Sequence, residues 1–364
     1  MISVIEIGEK NIKAVFGYGE NNKINICARY NIPSVGIING EIVEEEKLVK
    51  TLANLKNKII NDGYETDDFL LILPSNNLGI YRKRASNNTL SYNNVISNRD
   101  IELLKRACGK HQLHSDEITV EIYPISYMLD NEVEVKDDPI GETSSSIAID
   151  AFITTLPSNK SKKYINILSE AGFKIKDYIL APIAASYSIL NKDELQNGVL
   201  LVDIGSATTS IFLFYKGFLT SVKEVNLGMN DIDAEIAKKF NIDKVLAENL
   251  KINYGSAIAS IVSDIVIYED KNIVIKENEL VSVVEEKLND ILNEIDKAIK
   301  SLIKDYSFKV ILNGGGANMP NIRKKFYSYL NYECNTRTLN ILGVRNTIYN
   351  NLIGGLYYIL NKEV

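Results

Sequence analysis

Residues 199–215 read Val-Leu-Leu-Val-Asp-Ile-Gly-Ser-Ala-Thr-Thr-Ser-Ile-Phe-Leu-Phe-Tyr, two apolar runs joined by a short acidic turn. Positions 199–202 are all apolar, the pattern of a strand covered on both faces. The carboxylate of Asp203 then meets small and hydroxyl residues, Gly205, Ser206, Ala207, Thr208 and Thr209. A glycine there lets a ligand approach the backbone, and the amides that follow can donate to phosphate oxygens. Strand, acidic turn and return strand (211–215) make a cradle for a magnesium-bound phosphate. Taken alone, an ordinary hairpin with its acid facing water is the simpler reading.

A second copy changes the weighting. Ile2-Ser3-Val4-Ile5-Glu6-Ile7-Gly8 is again a strand ending in an acid and a glycine, followed by Glu9-Lys10-Asn11 and a strand over 12–17. Two copies roughly 200 residues apart predict two related halves facing one ligand.

The 364 residues suffice for two domains or more, each with its own core. A net charge of −6 argues against a general nucleic-acid binder, so no such partner is expected. Cys27, Cys108 and Cys334 are scattered and odd in number, which excludes a disulfide framework or a cysteine-based zinc site. His111 and His114 lie in a polar stretch with no completing ligands and read as a solvated pair. Glu6 and Glu9 interrupt the first apolar run, so it is not a signal peptide. With no run of 18 apolar residues either, a cytoplasmic location is expected.

In chain order, a meander strand over 23–32 leads to a helix over about 44–62, with Leu48, Leu52, Leu55 and Ile59 at helical spacing and Gly63 as its stop. A buried strand follows at 69–74. Asn and Ser dominate 86–98, a polar excursion, and Asn98 is placed as the cap of a helix to 109. Strands over 118–129 and 147–155, with the turn Asp138-Pro139-Ile140-Gly141 between them, define a small inserted subdomain at 83–158. A helix at 164–171 and a small-residue helix from Pro182 connect the halves, and residues 193–197 form a turn. Strand 218–225 precedes helices over 231–240 and 245–254; Glu248 and Lys251 share a face of the latter, where a surface ion pair is one reading. The long helix over 279–305 carries one apolar stripe, and strand 309–313 runs into Gly314-Gly315-Gly316. Three glycines between strand and helix let a flat ligand lie against the backbone; a flexible loop is the alternative. The last helix spans about 347–360.

Two acid-turn hairpins, a small-residue connecting helix and a late glycine triplet resemble the nucleotide site of the actin, heat-shock chaperone and sugar-kinase superfamily. Within it the chain is similar to the bacterial FtsA family over nearly its whole length. The residues that carry this are Gly36-Ile37-Ile38-Asn39-Gly40-Glu41-Ile42-Val43, Asp138-Pro139-Ile140-Gly141, Ala184-Ala185-Ser186-Tyr187-Ser188-Ile189-Leu190, residues 198–205, and Ala247-Glu248-Asn249-Leu250-Lys251 with Tyr254-Gly255.

The resemblance implies an α/β, actin-like fold: two sheet-based halves around a nucleotide cleft, each with an additional small subdomain. The first core would be 1–82, completed by 159–195 and 345–364. The second would be 196–225, completed by 306–344, with 226–305 as its outer subdomain. ATP and Mg2+ are the implied ligands. Gly8, Glu9, Lys10 and Asn11 would form one phosphate loop, and Asp203, Gly205, Ser206, Ala207, Thr208 and Thr209 the other, beside Gly228. Glu248 and Lys251 would flank the ribose, and Gly314, Gly315, Gly316 and Asn318 the adenine. Glu6 and Asp203 would hold the metal through water.

The resemblance also implies filaments of the chain itself, other division proteins contacted through 83–158, and the FtsZ C-terminal tail, placed at Lys297, Lys300 and Lys304. The chain would then work at the cytoplasmic face of the inner membrane at the division site. Its family continues into a membrane-binding tail, whereas this chain stops at Val364, so membrane contact is expected only through a missing tail or another anchor. The first loop departs from the family by carrying Glu9 where threonine is usual, a second carboxylate near the phosphates unless it turns outward. The connecting helix has no Gln or Glu to position water, so slow or absent hydrolysis is expected. A small-molecule kinase on the same fold is the alternative.

Overall fold

The computed structural model describes residues 1–20, 23–38, 40–64, 68–110, 116–130, 133–135, 137–270, 273–303 and 308–362. Asn39, His111, His114 and Lys304 lie outside them. Two compact units emerge, one comprising Met1–Pro74, Asn166–Gly217 and Ser221–Val364, the other Ser75–Ile165 with Phe218–Thr220.

The larger unit holds two five-stranded sheets of the same plan. In the first, Asn11–Glu20 pairs antiparallel with Ile2–Ile7 on one side and Lys23–Pro33 on the other. Asp68–Leu73 and Lys174–Leu180 then extend the sheet in parallel. In the second, Val199–Ile204 pairs antiparallel with Thr209–Tyr215 and parallel with Lys309–Asn313, which in turn pairs with Cys334–Thr336. Phe218–Val225 takes the outer place beside Thr209–Tyr215. Each acid-turn hairpin thus lies at the heart of its sheet, and the duplicated design in the sequence becomes a duplicated topology.

Helix periodicity places the cores. Glu45–Asn61 buries Leu48, Leu52, Leu55 and Ile59, and Gly63, at φ +84°, stops it. The long helix runs Glu277–Leu302 and buries Leu280, Val284, Leu288, Ile291 and Ile295 along one stripe, as its spacing requires. Each such leucine or isoleucine is worth about 1.5–3 kcal/mol of transfer free energy. Ala181–Ile189 is buried almost throughout and crosses Asn350–Lys362 at backbone distance, since a Cβ on Gly354 would lie 1.7 Å from Ala184 O.

The smaller unit is an antiparallel sheet, Gly79–Asn88, Ser146–Pro157, Glu117–Leu129 and Glu134–Val135, with the helix Asn98–Lys110 on it. Its core takes Ile147, Ile149, Ala151 and Ile153 from one strand face and Ile101, Leu104 and Cys108 from the helix.

Several local expectations change. Ser86, Asn87 and Asn88 are the end of a ten-residue strand rather than part of an excursion, because pairing with Ser146–Pro157 outweighs the low strand preference of asparagine. Asn98 is the first residue of its helix, and the capping contact is Ser97 N donating to Asp100 at 2.9 Å. The helix expected from 164 begins at Ser158. Residues 192–197 form a short helix closed by an Asn191–Glu194 capping box rather than a simple turn. The hairpin Val266–Asp270 with Ile273–Lys276 and the strand Cys334–Thr336 are too short and weakly patterned to stand out in the sequence.

Candidate functional site

The second hairpin turn is tight: Gly205 N donates to Thr208 O at 2.9 Å. The start of the helix Met229–Phe240 docks on it, with Met229 N on Gly205 O at 3.0 Å and Asn230 N on Ser206 O at 2.8 Å. Only a glycine tolerates this approach at 228, where a Cβ would fall 2.4 Å from Ser206 O. Gly205, Ser206, Ala207 and Thr208 remain half-exposed. Thr209 is fully buried and spends its hydroxyl on Leu227 O, so it braces the turn instead of lining it.

The first turn closes the same way, Gly8 N to Asn11 O at 3.0 Å. Glu6 and Lys13 are direct partners across the hairpin, and Lys13 Nζ meets Glu6 Oε2 at 2.6 Å and Ile348 O at 2.9 Å. Asn351 Nδ2 donates to the other oxygen, Glu6 Oε1, at 2.8 Å. Glu9 bridges: Oε2 accepts from Gly40 N at 2.8 Å and Oε1 from Asn230 Nδ2 at 3.0 Å. Lys10 reaches Glu248 at 2.5 Å and lies 4.0 Å from Asp233.

The glycine triplet brings the third wall. Gly314, at φ +80°, lies so close to Asp203 that a Cβ would be 2.3 Å from Oδ1. A Cβ on Gly316 would strike Ile204, whereas one on Gly315 meets nothing within 4 Å. Gly315 is therefore the open face of the loop. Asn318 ties the loop down through Gly315 O at 3.3 Å, Asn346 Oδ1 at 3.0 Å and Thr347 Oγ1 at 2.7 Å.

Asp203 sits at the meeting point of these walls. Burial, and then the Glu6 charge, push its carboxyl up to about 6, against the opposing pull of Lys13 and the Asn313 hydrogen bond. Lys251 turns inward to Asp233 at 2.7 Å and to Met229 O at 2.9 Å, while its helix neighbour Glu248 meets Lys10. The surface pair considered for Glu248 and Lys251 thus gives way to separate partners. Burial raises the Asp233 carboxyl and lowers the Lys251 amine, each held back by the other's charge.

Lys13, Asn230, Asp233, Asn313 and Asn351 escaped the sequence reading. A lysine between the buried Ile12 and Ala14 was the one available signal. On the long helix, Lys297 pairs with Glu294 and Lys300 with Asp296, both at 2.6 Å. The neighbouring groove of about 470 Å³ is of mixed charge, lined by Lys287, Asp290, Glu294 and Lys297 among others. Among the described residues no cluster of three or more His, Cys, Asp or Glu side chains is placed to hold a metal ion.

A model of the family described as Cell division protein FtsA matches residues 200–354. Cell division protein FtsA of Bacillus subtilis (strain 168) is 24% identical over 358 residues, covering 96% of this chain and 81% of the relative. That of Escherichia coli (strain K12) is 22% identical over 387 residues, covering 97% and 89%. Among solved structures, a chain of the PilM-PilN type IV pilus biogenesis complex superposes with a TM-score of 0.69 at 15% identity, covering 98% of both chains. MreB5 of Spiroplasma citri bound to ADP superposes with a TM-score of 0.57 at 14% identity, covering 100% of this chain and 97% of the other. With its twin sheets and paired acid turns, the chain has the actin-like fold and is related to the FtsA cell-division proteins along nearly its whole length.

Proposed function

We propose that this chain is an actin-like scaffold of the division apparatus that binds ATP with Mg2+ between its two sheet-based halves and turns it over slowly or not at all. One observation carries the reading: the Asp203 carboxylate is packed against Gly314, while the adjoining Gly315 opens onto free space. Glycines at 8, 205 and 228 let the two turns close on their own carbonyls, and the half-exposed residues 206–208 leave backbone amides to a phosphate chain. Asp203 would hold Mg2+ through water, offering the hard oxygen donor that this ion takes. Glu6 contributes charge only, since both its oxygens are already engaged. Glu248 faces the ribose, with Lys251 behind it holding Asp233 and Met229 O, and Gly315 with Asn318 faces the base while Gly314 and Gly316 pack the loop in place.

Bound Mg-ATP supplies a polyanion that both halves grip. Cleavage would need a residue to position water. The helix Ala181–Ile189 carries neither carboxylate nor amide, and Ser186 Oγ is committed to Ile183 O at 2.7 Å. The ligand is then structural, favouring assembly of the chain with copies of itself. Other division proteins contact the 83–158 stretch, and the FtsZ tail binds at Lys297, Lys300 and Lys304. The chain works at the cytoplasmic face of the membrane at the division site. The last helix buries Leu352, Ile353 and Leu356 and does not offer them to lipid.

Calorimetry with Mg-ATP tests the reading, alongside electron microscopy of the purified chain. Binding that weakens in Asp203→Asn, with filaments that depend on nucleotide, is expected. Steady phosphorylation of a sugar or small acid would replace the scaffold with a kinase.

A further inference from the structure

The first hairpin turn does something that its place in a phosphate loop does not require. Glu9 and Lys10 both reach out of the first half and onto the helices of the second. Glu9 joins Gly40 of its own half to Asn230 at the start of Met229–Phe240. Lys10 joins Glu248 on Lys244–Tyr254 and approaches Asp233. Lys10 is itself anchored, since its carbonyl accepts from Ser34 N at 2.9 Å.

The charges explain why the contact holds. Asp233, Glu248 and Lys251 on the second half sum to one negative charge, and Asp233 and Lys251 are nearly buried. Lys10 from the first half completes a neutral set of four alternating charges. Partly buried charges are costly when unbalanced, so opening the cleft leaves the second half with an uncompensated carboxylate. Asn230 likewise loses its carboxylate partner.

We propose that Glu9 and Lys10 form a built-in latch that ties the first half to the helices of the second, so that a nucleotide entering between them displaces Lys10 from Glu248. The inference rests on the nucleotide reading only for that last clause; the latch itself rests on the Glu9 and Lys10 contacts.

The test is a spin-label distance measurement across the cleft. Labels are placed at Lys50→Cys and Lys238→Cys, both exposed, in a Cys27→Ser background where Cys108 and Cys334 are buried. The full chain without nucleotide is expected to give one short distance population. Glu9→Ala with Lys10→Ala shifts it to longer and broader values, and Mg-ATP restores the short one. Lys10→Arg, which keeps the positive charge between Glu248 and Asp233, retains the short population without nucleotide, which separates loss of that charge from a folding defect. A ligand-free chain as open as the double variant, or a double variant as closed as the parent, overturns the latch. Calorimetry showing no Mg-ATP binding to either form refutes the nucleotide reading and the displacement of Lys10, while the distances still decide whether the latch exists.

Discussion

Asn313 Nδ2 lies 3.2 Å from Asp203 Oδ2, its register partner on the adjacent parallel strand. The same nitrogen reaches Asn351 Oδ1 at 3.2 Å, and Asn351 Nδ2 donates to Glu6 at 2.8 Å. The acids of the two hairpins are thereby joined through two amides. Because carboxylates only accept, the acids at either end dictate which way each amide turns. Asn350 Nδ2 closes the set on Asn313 Oδ1 at 2.9 Å.

Asn313 is 1% exposed, so Asn313→Ala removes the donor that Asn351 Oδ1 and Asp203 share, and leaves Asn350 Nδ2 with Arg337 O alone. A buried polar group left unpaired costs about 1–3 kcal/mol. Denaturant unfolding should show a loss in that range; a loss under 0.5 kcal/mol, about that of a neutral surface change, would contradict the relay.

Asp203 makes stability depend on pH in a stated direction. Its folded value of about 6 lies above the ordinary 3.8, so the folded chain binds this proton more tightly than the unfolded one. Its contribution is complete below the ordinary value and is lost as pH rises toward the folded one. Asp203→Asn abolishes the dependence, and should gain on the parent by on the order of 2–3 kcal/mol between acid and neutral pH. Unfolding of both proteins at the two pH values checks this, and a constant difference would refute it.

The three loop glycines should separate by role. Gly314→Ala and Gly316→Ala place a Cβ against Asp203 or Ile204 and should destabilise the fold, by about 1–3 kcal/mol for overpacking of this kind. Gly315→Ala meets open space, so its melting temperature should hold while Mg-ATP affinity drops. Unchanged affinity would move the ligand away from this loop.

Lys297 and Lys300 pair along the long helix with Glu294 and Asp296. Exposed pairs of this kind contribute about 0–1 kcal/mol, leaving the lysines available to a better acidic partner. Charge reversal at Lys297, Lys300 and Lys304 should weaken binding of the FtsZ tail peptide at least tenfold. An unchanged dissociation constant would remove this placement.

The sequence by itself determined the two acid-turn hairpins, the buried strands that carry them, the glycine triplet and the long helix. Each of these is a local pattern: apolar runs report burial on both faces, helical spacing reports one face, and glycine reports close approach. The tertiary structure alone decided the partners. Asn351 meets Glu6 across 345 positions and Asn230 meets Glu9 across 221, distances at which neither side chain leaves a mark on the residues around it. Strand pairing likewise made a strand of the asparagines at 87 and 88. The same holds for Lys10 and Glu248, which lie in separate halves and become partners only because the fold brings the first hairpin turn onto the helices of the second half.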